Sequence, residues 1–150
     1  MNTLLIASSP KFGAVYTSRP QNEEALFFQH DPDQEGLANG YYATGEDKTA
    51  LRPLTDAIND AAIVYSKIKR DFLIDNNHCD DQMADLFVAA ATGNIHKAEN
   101  NEKRRETDER LQEKYEKNIH HRAFTAACRI YEKATADYLA FTKELAQKAQ

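Results

Sequence analysis

No stretch of this chain approaches the roughly 18 consecutive apolar residues that a membrane-spanning helix needs. The opening residues, Met1 to Ala7, place no basic cluster ahead of their short apolar run, so no secretory signal is expected. Cysteine is scarce: Cys79 and Cys128 stand far apart and imply no disulfide framework, which suits a reducing, cytoplasmic compartment. The signatures of the common enzymes are also missing. There is no G-x-G-x-x-G, no G-x-S-x-G and no H-E-x-x-H. Gly40 and Gly45 have the spacing of a phosphate-binding loop, but Glu46-Asp47 follows where Lys-Ser/Thr belongs and would repel phosphate. No stretch carries the signature of a known family.

Glycine and proline are few, and they are unevenly placed. Pro10, Gly13, Pro20, Pro32, Gly36, Gly40 and Gly45 all precede residue 46, whereas 101–148 holds neither residue type. The apolar content of 41% and charged content of 29% fit a globular chain, and 150 residues predict one domain. The expected fold is mainly α, a three- or four-helix bundle with a long C-terminal helix and a small N-terminal β-hairpin or extended segment. Within that single domain, 1–50 reads as β- and loop-rich and 54–148 as the helical bundle.

The C-terminal third organises this reading. Good helix formers dominate it. Glu102 to Lys117 is charged on nearly all sides, with Leu111 and Tyr115 as its apolar residues. Ala123 to Leu145 is the opposite, with Phe124, Ala127, Ile130, Tyr131, Tyr138, Phe141 and Leu145 on a wide apolar face that needs a cover. Leu111, Tyr115, Ile119, Ala123 and Ala127 step by four, and each step overshoots a helical turn by about 40°. A straight helix therefore cannot hold all five on one face. We expect a continuous helix whose charged half projects; a break near Asn118–Arg122 is the rival.

Before that stretch, short strands and turns are expected in 1–50. Leu4–Ala7 could pair with Ala14–Thr17, and Ala25–Gln29 with Tyr41–Thr44. The first helix is expected near Thr55, with Thr55 as N-cap after Pro53. Its stripe is Leu54, Ile58, Ala61, Tyr65, Ile68 and Phe72. A second helix is expected from Asp80 or Asp81, with Met83, Leu86, Phe87 and Ala90 as apolar face and Gly93 as stop.

Three chemical patterns compete with a purely structural role. Asp31-Pro32-Asp33-Gln34-Glu35-Gly36 starts like a calcium loop, but Tyr42 stands where the bidentate Glu belongs. His78, Cys79 and Asp81, joined by His120 and His121, hold the residue types of a metal site or a metal-dependent enzyme, though sequence neighbours rarely converge on one ion. Cys79 beside His78 at a helix start has part of the electrostatics of a nucleophile, but adjacent helical residues point about 100° apart. The cluster Lys103, Arg104, Arg105 and Arg110 is a candidate nucleic-acid contact. Its acids are interleaved, and 1–50 carries seven acidic against three basic side chains, which argues against such a partner.

The reading that needs least is a non-enzymatic protein–protein interaction module: an adaptor, inhibitor or regulatory accessory protein, of bacterial or phage effector type, with no cofactor. Phe27, Phe28, Tyr41 and Tyr42 are its expected partner contacts on the sheet, since neighbours on a strand point to opposite faces. Leu111, Tyr115 and Ile119 are the expected face of a homodimer.

Overall fold

The computed structural model of the chain describes residues 3–9, 25–31 and 38–149. It is mainly helical, with four helices, a small N-terminal antiparallel sheet and a long C-terminal helix. The strands are β1 (Thr3–Ser9), β2 (Leu26–His30) and β3 (Ala38–Ala43). The helices are α1 (Gly45–Asp75), α2 (Asp81–Thr92), α3 (Ala98–Lys114) and α4 (His121–Lys148). The chain divides into two compact units, 1–56 with 136–150, and 57–135.

In the first unit β3 lies between β1 and β2, antiparallel to both. The expected pairing of 25–29 with 41–44 is present: Phe27 faces Tyr42 and Phe28 faces Tyr41. β1 pairs with β3, with a register shift between Leu5 and Ala7; its expected partner, 14–17, lies outside the described residues. The third strand matters because a two-stranded hairpin is marginal alone. Thr3 is buried and its hydroxyl donates to Asp47 Oδ2 at 2.6 Å, tying β1 to the start of α1.

Helix α1 begins ten residues earlier than the sequence led us to expect, and Pro53 sits inside it. The chain leaves β3 through Gly45, whose φ of 54° is left-handed and favours glycine. Lys48 N–H then donates to Thr44 C=O, and the helix is under way before Pro53 is reached. An internal proline removes one backbone bond, here the one to Thr49 C=O. Pro53 and Thr49 are both exposed, where water can serve that carbonyl. Thr55 is no cap: its hydroxyl donates back to Leu51 C=O at 3.2 Å.

In the second unit α2 starts as expected, with Asp80 accepting from Met83 N–H at 2.8 Å. Gly93 ends it in an extended conformation, and the left-handed residue is Asn94, at φ 51°.

The continuous C-terminal helix is corrected: it breaks at 115–120, between α3 and α4. Helical phase explains why. Tyr115 and Phe124 are nine residues apart, about 900° or two and a half turns, so one straight helix would send them to opposite sides. The break lets both reach Phe72, Tyr115 edge-on at 5.8 Å and Phe124 stacked at 4.5 Å. Asn118 holds the corner. Its Nδ2 donates to Asp75 and Asn76, at 2.8 and 3.0 Å, and its Oδ1 accepts from His120 N–H at 2.8 Å. After the corner the buried stripe of α4 runs Phe124, Ala127, Cys128, Tyr131, Thr135, Tyr138, Thr142 and Leu145, at helical spacing. Ile130, expected on that stripe, is exposed.

Replacing Asn118 with Ala should lower stability by about 1–2 kcal/mol in urea denaturation, since each net hydrogen bond contributes about 1 kcal/mol and these are partly solvated. An unchanged midpoint would mean that the corner forms without those bonds.

Candidate functional site

Three charged residues are buried among the described residues: Lys69, Arg104 and Asp108. All three belong to the second unit. Lys69 lies on the inward stripe of α1, four residues after Tyr65 and three before Phe72. Arg104, Asp108 and Leu111 are the buried residues of α3, and their spacing of four and three places them on one face.

Lys69 Nζ donates to Asp108 Oδ1 at 2.8 Å and to Tyr65 Oη at 3.0 Å. Tyr65 Oη donates to Asp108 Oδ2 at 2.7 Å. Each member therefore meets another, as a buried charge must. Burial, followed by the neighbouring Asp108 carboxylate, pushes the Tyr65 phenol far above its ordinary value. Tyr65 thus serves as a neutral hydrogen-bonding link. Cys128 is also pushed up, by burial first and by Asp108 next, and is an inert part of the core.

Arg104 stands apart from this triad. Its guanidinium lies over the Tyr131 ring, 4.6 Å from the centroid, and that ring stacks on Tyr65 at 4.8 Å. Aromatic contacts continue through Phe124, Phe72 and Tyr115 to His78. Arg104 Nη1 is buried and has no hydrogen-bond partner among the described residues. A cavity of about 370 Å³ adjoins this network, lined by Lys69 and Leu73 of α1, by Phe87 of α2, and by Lys103, Arg104 and Leu111 of α3.

The residues expected to carry chemistry from sequence alone are placed as follows. Asp81 and His120 line one shallow depression with Asp71 and Asp75, but no three His, Cys, Asp or Glu side chains are grouped to hold a metal among the described residues. The His78 ring nitrogen Nδ1 lies 2.8 Å from Tyr115 Oη. The Cys79 thiol is pushed up by burial and by Asp80, the opposite of what a nucleophile needs. His121 is half-buried. In the basic cluster, Arg104 is buried, Arg105 pairs with Glu102 and Glu109, and Arg110 lies 4.0 Å from Glu106. The calcium-like run 31–36 lies outside the described residues after Asp31.

The expected partner contacts are mostly interior. Phe28, Tyr41 and Tyr42 are buried and Phe27 is half-buried, held in cross-strand pairs at 5.1 and 5.6 Å. Leu111 is 5% exposed, Tyr115 is half-buried, and Ile119 is 86% exposed. What sequence reasoning missed is the buried charge. Lys69 on an apolar stripe, with Arg104, Asp108 and Leu111 in helical phase, was the available signal.

Comparison with known proteins adds no assignment: no family model, no curated protein and no solved structure matches this chain.

Replacing Asp108 with Asn should remove about 3–5 kcal/mol of stability, because it leaves the Lys69 charge buried without its counter-charge. Tyr65→Phe deletes one hydroxyl and should remove about 1 kcal/mol. Equal losses in chemical denaturation would show that the charge is not what matters at this position.

The His78 imidazole is held below its ordinary value of 6.5, by burial first and by Lys114 next. The folded chain therefore binds fewer protons at His78 than the unfolded chain does. Its contribution to stability is lost as pH falls through 6.5 towards the depressed folded value, and regained as pH rises. His78→Gln should flatten the fall in urea midpoint between about pH 7 and 5.5. A pH profile identical to wild type would refute that assignment.

Proposed function

We propose that this chain is a non-enzymatic protein–protein interaction module, an adaptor, inhibitor or regulatory accessory protein, and that α2 is the element that meets its partner. The observation that carries the reading is the inversion of α2. Met83, Leu86 and Phe87 are 43, 63 and 41% exposed, Ala90 is exposed beside them, and Ala84 is the one buried residue of the helix. Positions 83, 86, 87 and 90 follow i, i+3, i+4 and i+7, the anchor pattern of a helix laid into an apolar groove. Fully burying one such side chain contributes about 1.5–3 kcal/mol, so several together give a partner a substantial gain. Asp81 flanks the stripe and favours a groove that carries a cation at that end. Two unpaired cysteines suit a reducing compartment.

This reading moves the docking face away from Leu111, Tyr115 and Ile119, because Leu111 is interior. A second copy of the chain remains one occupant the α2 face would accept.

Native mass spectrometry of the untagged chain at near-physiological ionic strength tests both forms of the proposal. An assembly that Leu86→Asp dissolves would support self-association through α2. A monomer directs the test to a photo-crosslinker at position 86 in the native host, with one at exposed position 60 as control. Discrete adducts from position 86 alone are the expected result. A monomer whose two positions crosslink alike would overturn the proposal.

A further inference from the structure

The chain carries a formal net charge of −5, yet the 370 Å³ cavity is lined by charge of the other sign. Its ionisable lining residues are Lys69, His78, Lys103 and Arg104, and no Asp or Glu lines it. Lys69 is neutralised by Asp108. Lys103 is not neutralised. It is exposed, it lines the cavity from α3, and it makes no ion pair or hydrogen bond among the described residues. The acids near it along α3 are committed elsewhere or lie off the cavity: Glu102 pairs with Arg105, Glu106 lies 4.0 Å from Arg110, and Glu99 is not part of the lining. An unpaired cation beside an apolar wall favours a partner that brings an anion to it.

The cavity is continuous with the apolar stripe of α2. Phe87 and Ala90 are exposed on that stripe and also line the cavity, so a partner laid along the stripe passes over it. Ala91 is half-buried beside them, and Leu73 of α1 and Leu111 of α3 complete the apolar lining. We propose that the cavity is the anchor pocket for an acidic peptide segment of the partner. One bulky apolar side chain of the segment enters the cavity, and an Asp or Glu next to it pairs with Lys103. Pockets that take one such side chain carry much of the affinity of an interface. Asp81 lies at the opposite end of α2, so the segment runs from a cation beside Asp81 to an acid beside Lys103. A free small anion would meet Lys103 but leave the stripe uncovered. This inference rests on the α2 docking reading and names the partner's chemistry.

Amide NMR of the full chain at low, constant ionic strength, with three capped dipeptides, tests the pocket. N-acetyl-Phe-Glu-amide should shift the amides of Ala91, Asn94 and Thr107, which line the cavity, in a saturable way. N-acetyl-Phe-Lys-amide, with the opposite charge, should bind about fivefold more weakly. N-acetyl-Ala-Glu-amide lacks the anchor and should bind about tenfold more weakly or worse. Lys103→Glu should reverse the preference between the first two, and Lys103→Gln should level it. The exposure of Lys103 lets both variants fold. The proposal is overturned if N-acetyl-Phe-Glu-amide gives no saturable shift, if either of the other peptides binds as well, or if Lys103→Glu keeps the wild-type preference. The dipeptides are too short to cover the stripe, so they read the cavity alone, whereas crosslinking from position 86 reads the stripe. Discrete adducts from position 86 without dipeptide binding would overturn this inference and leave the α2 docking reading standing.

Discussion

The second unit depends on one buried contact, the Lys69–Asp108 pair bridged by Tyr65. Hydrophobic burial is tolerant: a helix can slide or roll by a fraction of a turn and still cover apolar surface. A desolvated ion pair is not tolerant, because either charge left alone is strongly unfavourable. Rolling α3 by one residue, about 100°, would carry Asp108 out of reach of Lys69 and bring Thr107 or Glu109 in its place. The pair therefore selects one rotation of α3 against α1. Tyr65 extends the selection to α4, since the ring whose hydroxyl links the charges also stacks on Tyr131.

The corner at 115–120 is the second consequence of helical phase. α3 must turn Arg104, Asp108 and Leu111 inward, and α4 must turn Phe124, Cys128 and Tyr131 inward. No single straight helix satisfies both sets, because the stripe of α3 does not continue in phase into that of α4. Breaking the helix leaves backbone groups without intrahelical partners, and Asn118 takes up part of that demand. The short polar run Asn118–His121 is thus a structural device, and His120 and His121 belong to it.

Much of this architecture was legible in the residues. The stripe through Ile58, Ala61, Tyr65 and Phe72, the Asp80 cap and the stop at Gly93 are local patterns, and local patterns survive folding. The step-four series Leu111 to Ala127 even contained the break, as a phase conflict. Three features escaped for physical reasons. Pro53 is read as a boundary, yet an exposed proline is tolerated within a helix already under way. Lys69 is not singled out, and Arg104 and Asp108 fall in a run read as charged on nearly all sides, since a charge is buried only with a partner distant in sequence, and sequence spacing does not name that partner. Met83, Leu86 and Phe87 are read as core because periodicity reports that a face is apolar, not which body covers it. The candidate site suffered most, because it consists of the second and third of these features.

Those two features meet at Phe87 and Ala90, which is exposed on the same stripe. Phe87 lies on the exposed apolar stripe of α2 and also lines the cavity beside Arg104. α2 contributes a single buried residue, Ala84, and the Arg70–Asp85 pair that joins it to α1 is exposed, so that pair adds little. By contrast, α1, α3 and α4 share the charge network and the aromatic stack. An element with few buried contacts is the one whose position a ligand or partner can bias most easily.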